Sequence, residues 1–387
     1  MTQRSVAGVI PKVIAGVVAL GLPGACSKSE APQPQPVQPS STPQPAAPPR
    51  AKKAPPLPPA KGPPVRRDGT MYGTSELMGT TVSLNVYVGT EGDAAKAGKA
   101  MEDALAEMAR IEDSMSEWRP TSELSALNDA AGTEAMEVSA ELFEVLDVAK
   151  RIHAQTDGTF DVTFHGVGHL WSFKPGATPP TADEITAALP LVDGASVELD
   201  ARAKTARLPK KGMKIGLGAI AKGYAVDRAS ALLRSRGFAN HVVEAGGDTY
   251  ASGSKGGQAW RVGVKDPESQ GSLGVLSIRE RAVVTSGDYM RFFEHEGRRY
   301  AHILDPTTGW PVEVSKSPKS VTLLASDATQ ADAYCTAVAV MGPEAGLRFV
   351  ESRPDLDAVI IDRDGTVRVS AGLDGTYEPL PPARPEQ

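Results

Sequence analysis

Cysteine is almost absent: the 387 residues contain two, Cys26 and Cys335. With a single cysteine beyond residue 26, the body of the chain can close no internal disulfide, and its apolar core must hold the fold by itself. Histidine is also scarce, and none of the six stands in an HExxH pattern, which argues against a zinc hydrolase of that kind. Aromatic residues make up 5% of the chain. The apolar run Val13–Leu22 is ten residues long, too short to span a bilayer. A net positive charge is missing from the body as well. The chain carries −6 overall, the first 26 residues +2 and residues 27–67 +6, so residues 68–387 carry −14. A surface this acidic excludes nucleic acid as a partner, because binding to phosphate backbones draws on clustered Lys and Arg.

What is present divides the chain sharply. Arg4 and Lys12 precede the apolar run, and Pro23-Gly24-Ala25-Cys26 follows it, the order of an export signal. A cysteine directly after small residues is where a bacterial lipoprotein is acylated, so residues 1–26 are expected to be a leader ending in a lipidated Cys26. Fourteen prolines between Ala31 and Pro64, with seven basic residues and one acid from Lys28 to Arg67, mark residues 27–67 as a linker without a core. In polyproline form, forty residues reach about 120 Å. Residues 68–377 form the expected catalytic body, and 378–387 a flexible tail.

Within the body, Met78–Tyr87 alternates like a strand. Met101, Ala104, Leu105, Met108, Ile111 and Met115 keep helical spacing, as do Leu142, Val145, Leu146, Ala149 and Ile152 behind Ser139 as N-cap. A third helix runs around Ala225–Leu233 and a fourth over Ala328–Met341, stopped by Gly342-Pro343. Strands are expected at His241–Glu244, Trp260–Val264, Val283–Ser286 and Ser320–Leu324, with a hairpin from Ala358 to Val369 turning at Asp364-Gly365. The strands do not recur at βαβ spacing. The fold class is therefore α+β, a single body with a mixed, largely antiparallel sheet and packed helices.

The chemistry-bearing residues cluster beside glycines. Gly216-Leu-Gly218-Ala-Ile-Ala-Lys222-Gly223 runs into a helix, an arrangement that turns backbone N–H groups toward a phosphate. Its spacing matches neither the dinucleotide fingerprint nor a P-loop. Gly246-Gly247-Asp248 and Thr285-Ser286-Gly287-Asp288 are tight turns after strands. His302 precedes Asp305 and a turn fixed by Pro306 and Gly309, and an imidazole there suits general-base work near neutral pH. Asp332 and Thr336 share one helix face, and a carboxylate with a hydroxyl is a hard oxygen pair suited to Mg²⁺. Cys335, beside them, reads as a small core residue.

Taken in order, nine segments resemble the ApbE family of FAD:protein FMN transferases. They are Met78-Gly79-Thr80, Ser122-Glu123-Leu124 through Asn128, Phe160-Asp161-Val-Thr163, Leu170-Trp171-Ser-Phe173, Gly218 through Tyr224, Gly246-Gly247-Asp248, Thr285 through Tyr289, His302 through Gly309, and Ala331-Asp332 through Thr336. The resemblance implies an exported, lipid-anchored enzyme on the periplasmic side of a bacterial membrane. It would bind FAD with Mg²⁺ and transfer FMN to a threonine of an acceptor protein, releasing AMP. The acceptor motif it implies is Asp-x-x-Ser/Thr-Gly-Ala-Ser/Thr, in a membrane redox subunit. Pro175-Gly-Ala-Thr178 in this chain does not match that motif, so self-modification is not expected.

By the same resemblance, Met78, Trp118, Thr159, Phe160, Asp161, Lys222 and Leu304 line the FAD site. Asp332, Thr336 and the Ala219 carbonyl hold Mg²⁺, and His302 assists deprotonation of the threonine. Two departures stand out. Gly216 occupies a position where relatives carry Asp, and His165-Gly-Val-Gly-His169 replaces their Gly-Pro-Leu. Related proteins that hydrolyse FAD to FMN and AMP, or a noncatalytic flavin-binding lipoprotein, are the alternative readings.

Overall fold

The computed structural model describes residues 63–89, 92–289 and 291–381. The leader with Cys26 and nearly all of the Pro-rich linker lie outside the described residues.

The framework is an eight-stranded sheet. Its strands in chain order are β1 (Thr70–Leu77), β2 (Thr80–Tyr87), β3 (His241–Ala245), β4 (Asp248–Ser252), β5 (Arg281–Gly287), β6 (Ser320–Ala325), β7 (Asp357–Ile361) and β8 (Val367–Val369). They lie side by side in that same order, each antiparallel to its neighbour. Every residue of β6 and β7 is buried, so these strands are covered on both faces of the sheet. Alternation assigns the faces: Val321, Leu323 and Ala325 join the main core, while Leu324 and Val359 join a second one.

Helices cover the first face. They include α1 (Ala94–Met115), α2 (Ala140–Gln155), α3 (Ala221–Ser235) and α4 (Ala328–Met341). Ser139 caps α2 as the sequence reading expected, accepting from the Leu142 amide, and Asp93 caps α1, accepting from the Lys96 amide. Helix α4 is alanine-rich and buried on nearly every side, so it is a core helix rather than an amphipathic one. The second face is covered by a three-stranded sheet of Trp260–Lys265, Ser272–Ile278 and Tyr377–Pro379.

Two details depart from the sequence reading. The strand expected from Met78 begins at Thr80; Met78 and Gly79, with φ of 54° and 69°, form the two-residue turn of a hairpin whose first strand, β1, the alternation did not reveal. At the other end, Glu378 and Pro379 pair with Val275 and Gly274, so ordered chain continues past residue 377, where the tail was expected to begin.

Candidate active site

Two buried helices and one hairpin meet at a charged centre. Lys222, in the first turn of α3, directs its ammonium between two carboxylates: Nζ is 2.5 Å from Asp248 Oδ2 and 3.2 Å from Asp332 Oδ2. Asp248 opens β4 directly after the Gly246-Gly247 turn, and Asp332 lies on the second turn of α4; each residue is 2% exposed. Burial alone would push the Lys222 pKa down, but the two carboxylates outweigh it and hold the ammonium above the ordinary lysine value. Two anions around one cation leave excess negative charge, so burial and then the Asp332 charge drive the Asp248 pKa upward against the pull of Lys222.

The remaining donors suit a hard cation. Both bonds to Asp332, from Lys222 and from the Gly223 amide at 3.3 Å, fall on Oδ2. Thr336 sits one turn along α4 and donates its hydroxyl to the Asp332 backbone oxygen at 3.3 Å, leaving the oxygen lone pairs for a ligand. The Ala219 carbonyl takes no part in the loop and cap hydrogen bonds found among the described residues. In a helix the Gly223 amide would turn back toward residue 219; here it is spent on Asp332. One carboxylate, one hydroxyl and one carbonyl are few ligands, as Mg²⁺ accepts when water and substrate phosphate complete its octahedron. Among the described residues, no group of three or more His, Cys, Asp or Glu forms a richer metal cluster.

A buried carboxylate sets the relation between α3 and α4. Asp227 of α3 accepts from the Ala328 and Thr329 amides at 2.8 Å each and from the Thr329 hydroxyl, capping α4 from outside beside its own N-cap, Asp327. Asp227 was not singled out in the sequence, and Asp248 was noted only as the end of the Gly246-Gly247-Asp248 turn. Asp227 stands five residues after Lys222, on the helix itself, but its partners are about a hundred positions away.

His302 lies in the segment after the hairpin Phe292–His295/Arg298–Ala301. Its backbone N–H and its Nδ1 both face the Arg291 carbonyl, at 3.0 and 3.2 Å. That contact places the proton on Nδ1 and leaves Nε2 as the basic atom. Burial lowers the His302 pKa, opposed by the Arg291 carbonyl and assisted by the charges of Arg291 and Lys222. The ring meets Phe173 edge-on at 6.4 Å. Leu304 is buried in the same aromatic cluster, with Trp171, Phe293 and Tyr300, and the Trp171 indole N–H is held by the Gly309 carbonyl at 3.0 Å.

Of the other residues implied for the flavin nucleotide, none contacts Lys222, Asp248 or Asp332 through a hydrogen bond or ion pair found among the described residues. Met78 occupies the β1–β2 turn. That turn faces both sides of the site: Thr80 packs against Gly246, and the Arg291 guanidinium approaches Gly79. Trp118 is 75% exposed, its ring edge-on to His165 at 5.8 Å. Phe160 is a core residue. Thr159 donates its hydroxyl to the Thr156 carbonyl. Asp161 is engaged within the chain, accepting from the Thr163 amide and hydroxyl and from the Gly194 amide. The next residue, Val162, receives the Gly216 amide at 2.8 Å, which fixes the start of the glycine loop.

Gly216 has a steric reason. A Cβ there would stand 3.1 Å from both the His165 Cβ and Phe164 Cε1. His165 is buried, which lowers its pKa to about 4, with His169 adding to the shift. His165 and His169 stand one helical turn apart with ring centroids at 6.3 Å, and no third ligand joins them among the described residues. Close to the same loop, burial raises the Glu117 carboxyl, opposed by its own and the Leu217 amide. Cys335 is fully buried and its thiol is pushed up to about 12, so it is an inert core residue.

This antiparallel α+β body, with a lysine between two buried aspartates beside a hydroxyl and a glycine-rich helix start, has the residues to hold a hard cation and an anionic phosphate group. The chain belongs to the ApbE family, whose model matches residues 78–360. It is 34% identical to the FAD:protein FMN transferase of Treponema pallidum (strain Nichols) over 320 residues, covering 78% of this chain and 87% of that one. The ApbE protein of Thermotoga maritima superimposes with a TM-score of 0.72 at 33% identity, over 79% of this chain and 99% of that chain. The flavin transferase ApbE from Vibrio cholerae gives a TM-score of 0.69 at 29% identity, over 79% and 99%.

Proposed function

We propose that this protein transfers FMN from FAD to a threonine hydroxyl of an acceptor protein in a Mg²⁺-dependent reaction. The threonine oxygen forms a bond to the phosphorus on the FMN side, the bond from that phosphorus to the bridging oxygen breaks, and AMP leaves with that oxygen. The hydroxyl proton passes to the base, and one proton is returned as the products separate. Asp332, Thr336 and the Ala219 carbonyl would hold Mg²⁺, which neutralises pyrophosphate charge and stabilises the departing AMP.

The chain's own residues do the rest. Lys222 supplies a positive charge beside the phosphates, at the N-terminus of α3, where the helix dipole also favours an anion. His302, neutral at physiological pH and oriented by the Arg291 carbonyl, accepts the threonine proton at Nε2. Trp118 offers an exposed ring for stacking on a planar group of FAD. Met78 and Leu304 add apolar contact. The observation that carries the reading is the joining of Lys222 and Thr336, from two helices, at the buried Asp332.

The acceptor belongs to the class with an Asp-x-x-Ser/Thr-Gly-Ala-Ser/Thr motif, in a membrane redox subunit. The leader supports a Cys26-acylated protein held at a bacterial membrane on the periplasmic side, with the Pro-rich linker as its tether. Replacement of Asp332 by Ala, or EDTA added to the unmodified enzyme, should abolish AMP release from FAD while circular dichroism stays unchanged. Undiminished release in both experiments would refute the metal assignment. For the anchor, Cys26→Ser should remove lipid mass from the mature N-terminus and release the protein from membranes.

A further inference from the structure

Lys222 poses a problem for any cation bound at Asp332. Its ammonium already lies 3.2 Å from Asp332 Oδ2, and a divalent ion on that carboxylate would face a second positive charge at close range. For the ion to bind well, the ammonium must draw away from Asp332. The ammonium is only a quarter exposed and lies between two buried carboxylates, so leaving it without a counterion is unfavourable and the departure needs a second anchor. Asp248 supplies it. Its Oδ2 makes the shorter of the two contacts, 2.5 Å, and it belongs to a different element from Asp332. Its position is set by the Gly246-Gly247 turn, whose φ values of 58° and 100° suit glycine, and by pairing of Ala245 with Asp248 across the hairpin.

We infer that Asp248 is a positioning residue that retains Lys222 when a divalent cation takes over Asp332, so that ammonium and metal exchange on one carboxylate without leaving a buried charge unpaired. The inference rests on the Mg²⁺ reading above. Asp248 acts through Lys222 and is not itself a ligand. Replacing it by Asn leaves the ammonium only Asp332 as a charged partner, and the lysine then competes with the metal.

The test is metal affinity at neutral pH, measured on the whole protein without FAD, with Mn²⁺ as an EPR-visible probe. Asp332→Asn fixes the baseline: if it binds Mn²⁺ as the unmodified protein does, the metal reading itself fails and the inference falls with it. Given loss in that variant, Asp248→Asn should weaken Mn²⁺ by about tenfold or more, a coupling of the size found between linked sites. The double variant Asp248→Asn/Lys222→Met removes the competing charge and should recover most of the lost affinity. Unchanged affinity in Asp248→Asn would overturn the inference. So would a loss that the double variant fails to recover, since that would make Asp248 a direct ligand. If thermal melting shows that Asp248→Asn does not fold, Lys222→Met decides alone: it should bind Mn²⁺ more tightly than the unmodified protein, and equal or weaker binding would contradict the exchange.

Discussion

Gly223 lies so close to the carbonyl of Ala328 that a Cβ in place of its hydrogen would stand 2.1 Å from that oxygen. The contact sets how near α3 and α4 approach, and with it the meeting of Lys222 and Asp332. Because the opposing atom is backbone, no side-chain rotation relieves it. Gly223→Ala should therefore force the helices apart and cost about 2 kcal/mol or more of unfolding free energy, read by urea denaturation. AMP release should fall in parallel. A variant of normal stability and activity would show that the helix spacing is less constrained than the contact implies.

His241 links stability to pH. It is fully buried, its Nδ1 facing the Phe238 carbonyl at 2.7 Å and its Nε2 the Ser230 hydroxyl at 2.8 Å, an arrangement satisfied by the neutral ring. Burial lowers its pKa to about 4. The unfolded chain, with an ordinary histidine pKa near 6.5, then binds more protons between these values. The contribution is fully present above pH 6.5 and is lost as pH falls toward 4, by about 3 kcal/mol at most. Denaturation of the unmodified protein and of His241→Gln across that range should show a shallower acid slope in the variant.

Trp118 should separate binding from stability. Its ring is largely exposed, so Trp118→Ala should change unfolding free energy by no more than about 0.5 kcal/mol. Loss of a stacking surface should weaken FAD binding by about tenfold, measurable by calorimetry. Unaltered FAD affinity would remove Trp118 from the substrate site.

His302 is expected to act on the rate. His302→Ala should slow single-turnover FMN transfer by about two orders of magnitude. FAD affinity should stay within a few fold, and His302→Asn tests whether a polar side chain suffices. Because burial lowers the pKa of this base, the acid limb of the rate profile should lie below pH 6.5 in the unmodified enzyme. A rate restored by saturating FAD in the variant would make His302 a binding residue instead.

Much of the fold was legible because it rests on local signals. The periodicity over Met101–Met115, the Ser139 cap and the Asp364-Gly365 turn mark α1, α2 and the β7–β8 hairpin, and each appears where those signals stand. Strand β1 was hidden because its inner face carries Gly73 and Ser75, small or polar and only half-buried, so its alternation is weak. The site divides in the same way. The i, i+4 spacing puts Asp332 and Thr336 on one helix face, but only the family resemblance implies a metal role for them. Asp248 reads as the end of a turn, which it is, and only the folded hairpin brings it to Lys222, 26 positions earlier. Gly216 looks like a lost side chain until His165 is seen packed over it.

The most direct test of transfer is to incubate the purified body with FAD, Mg²⁺ and a domain carrying the acceptor motif, and to follow intact protein mass and AMP together. The account predicts that the acceptor gains the mass of one FMN less water, at its motif threonine, with one AMP released per modified chain. AMP appearing with an equal amount of free FMN, and an acceptor of unchanged mass, would contradict it and identify a hydrolase.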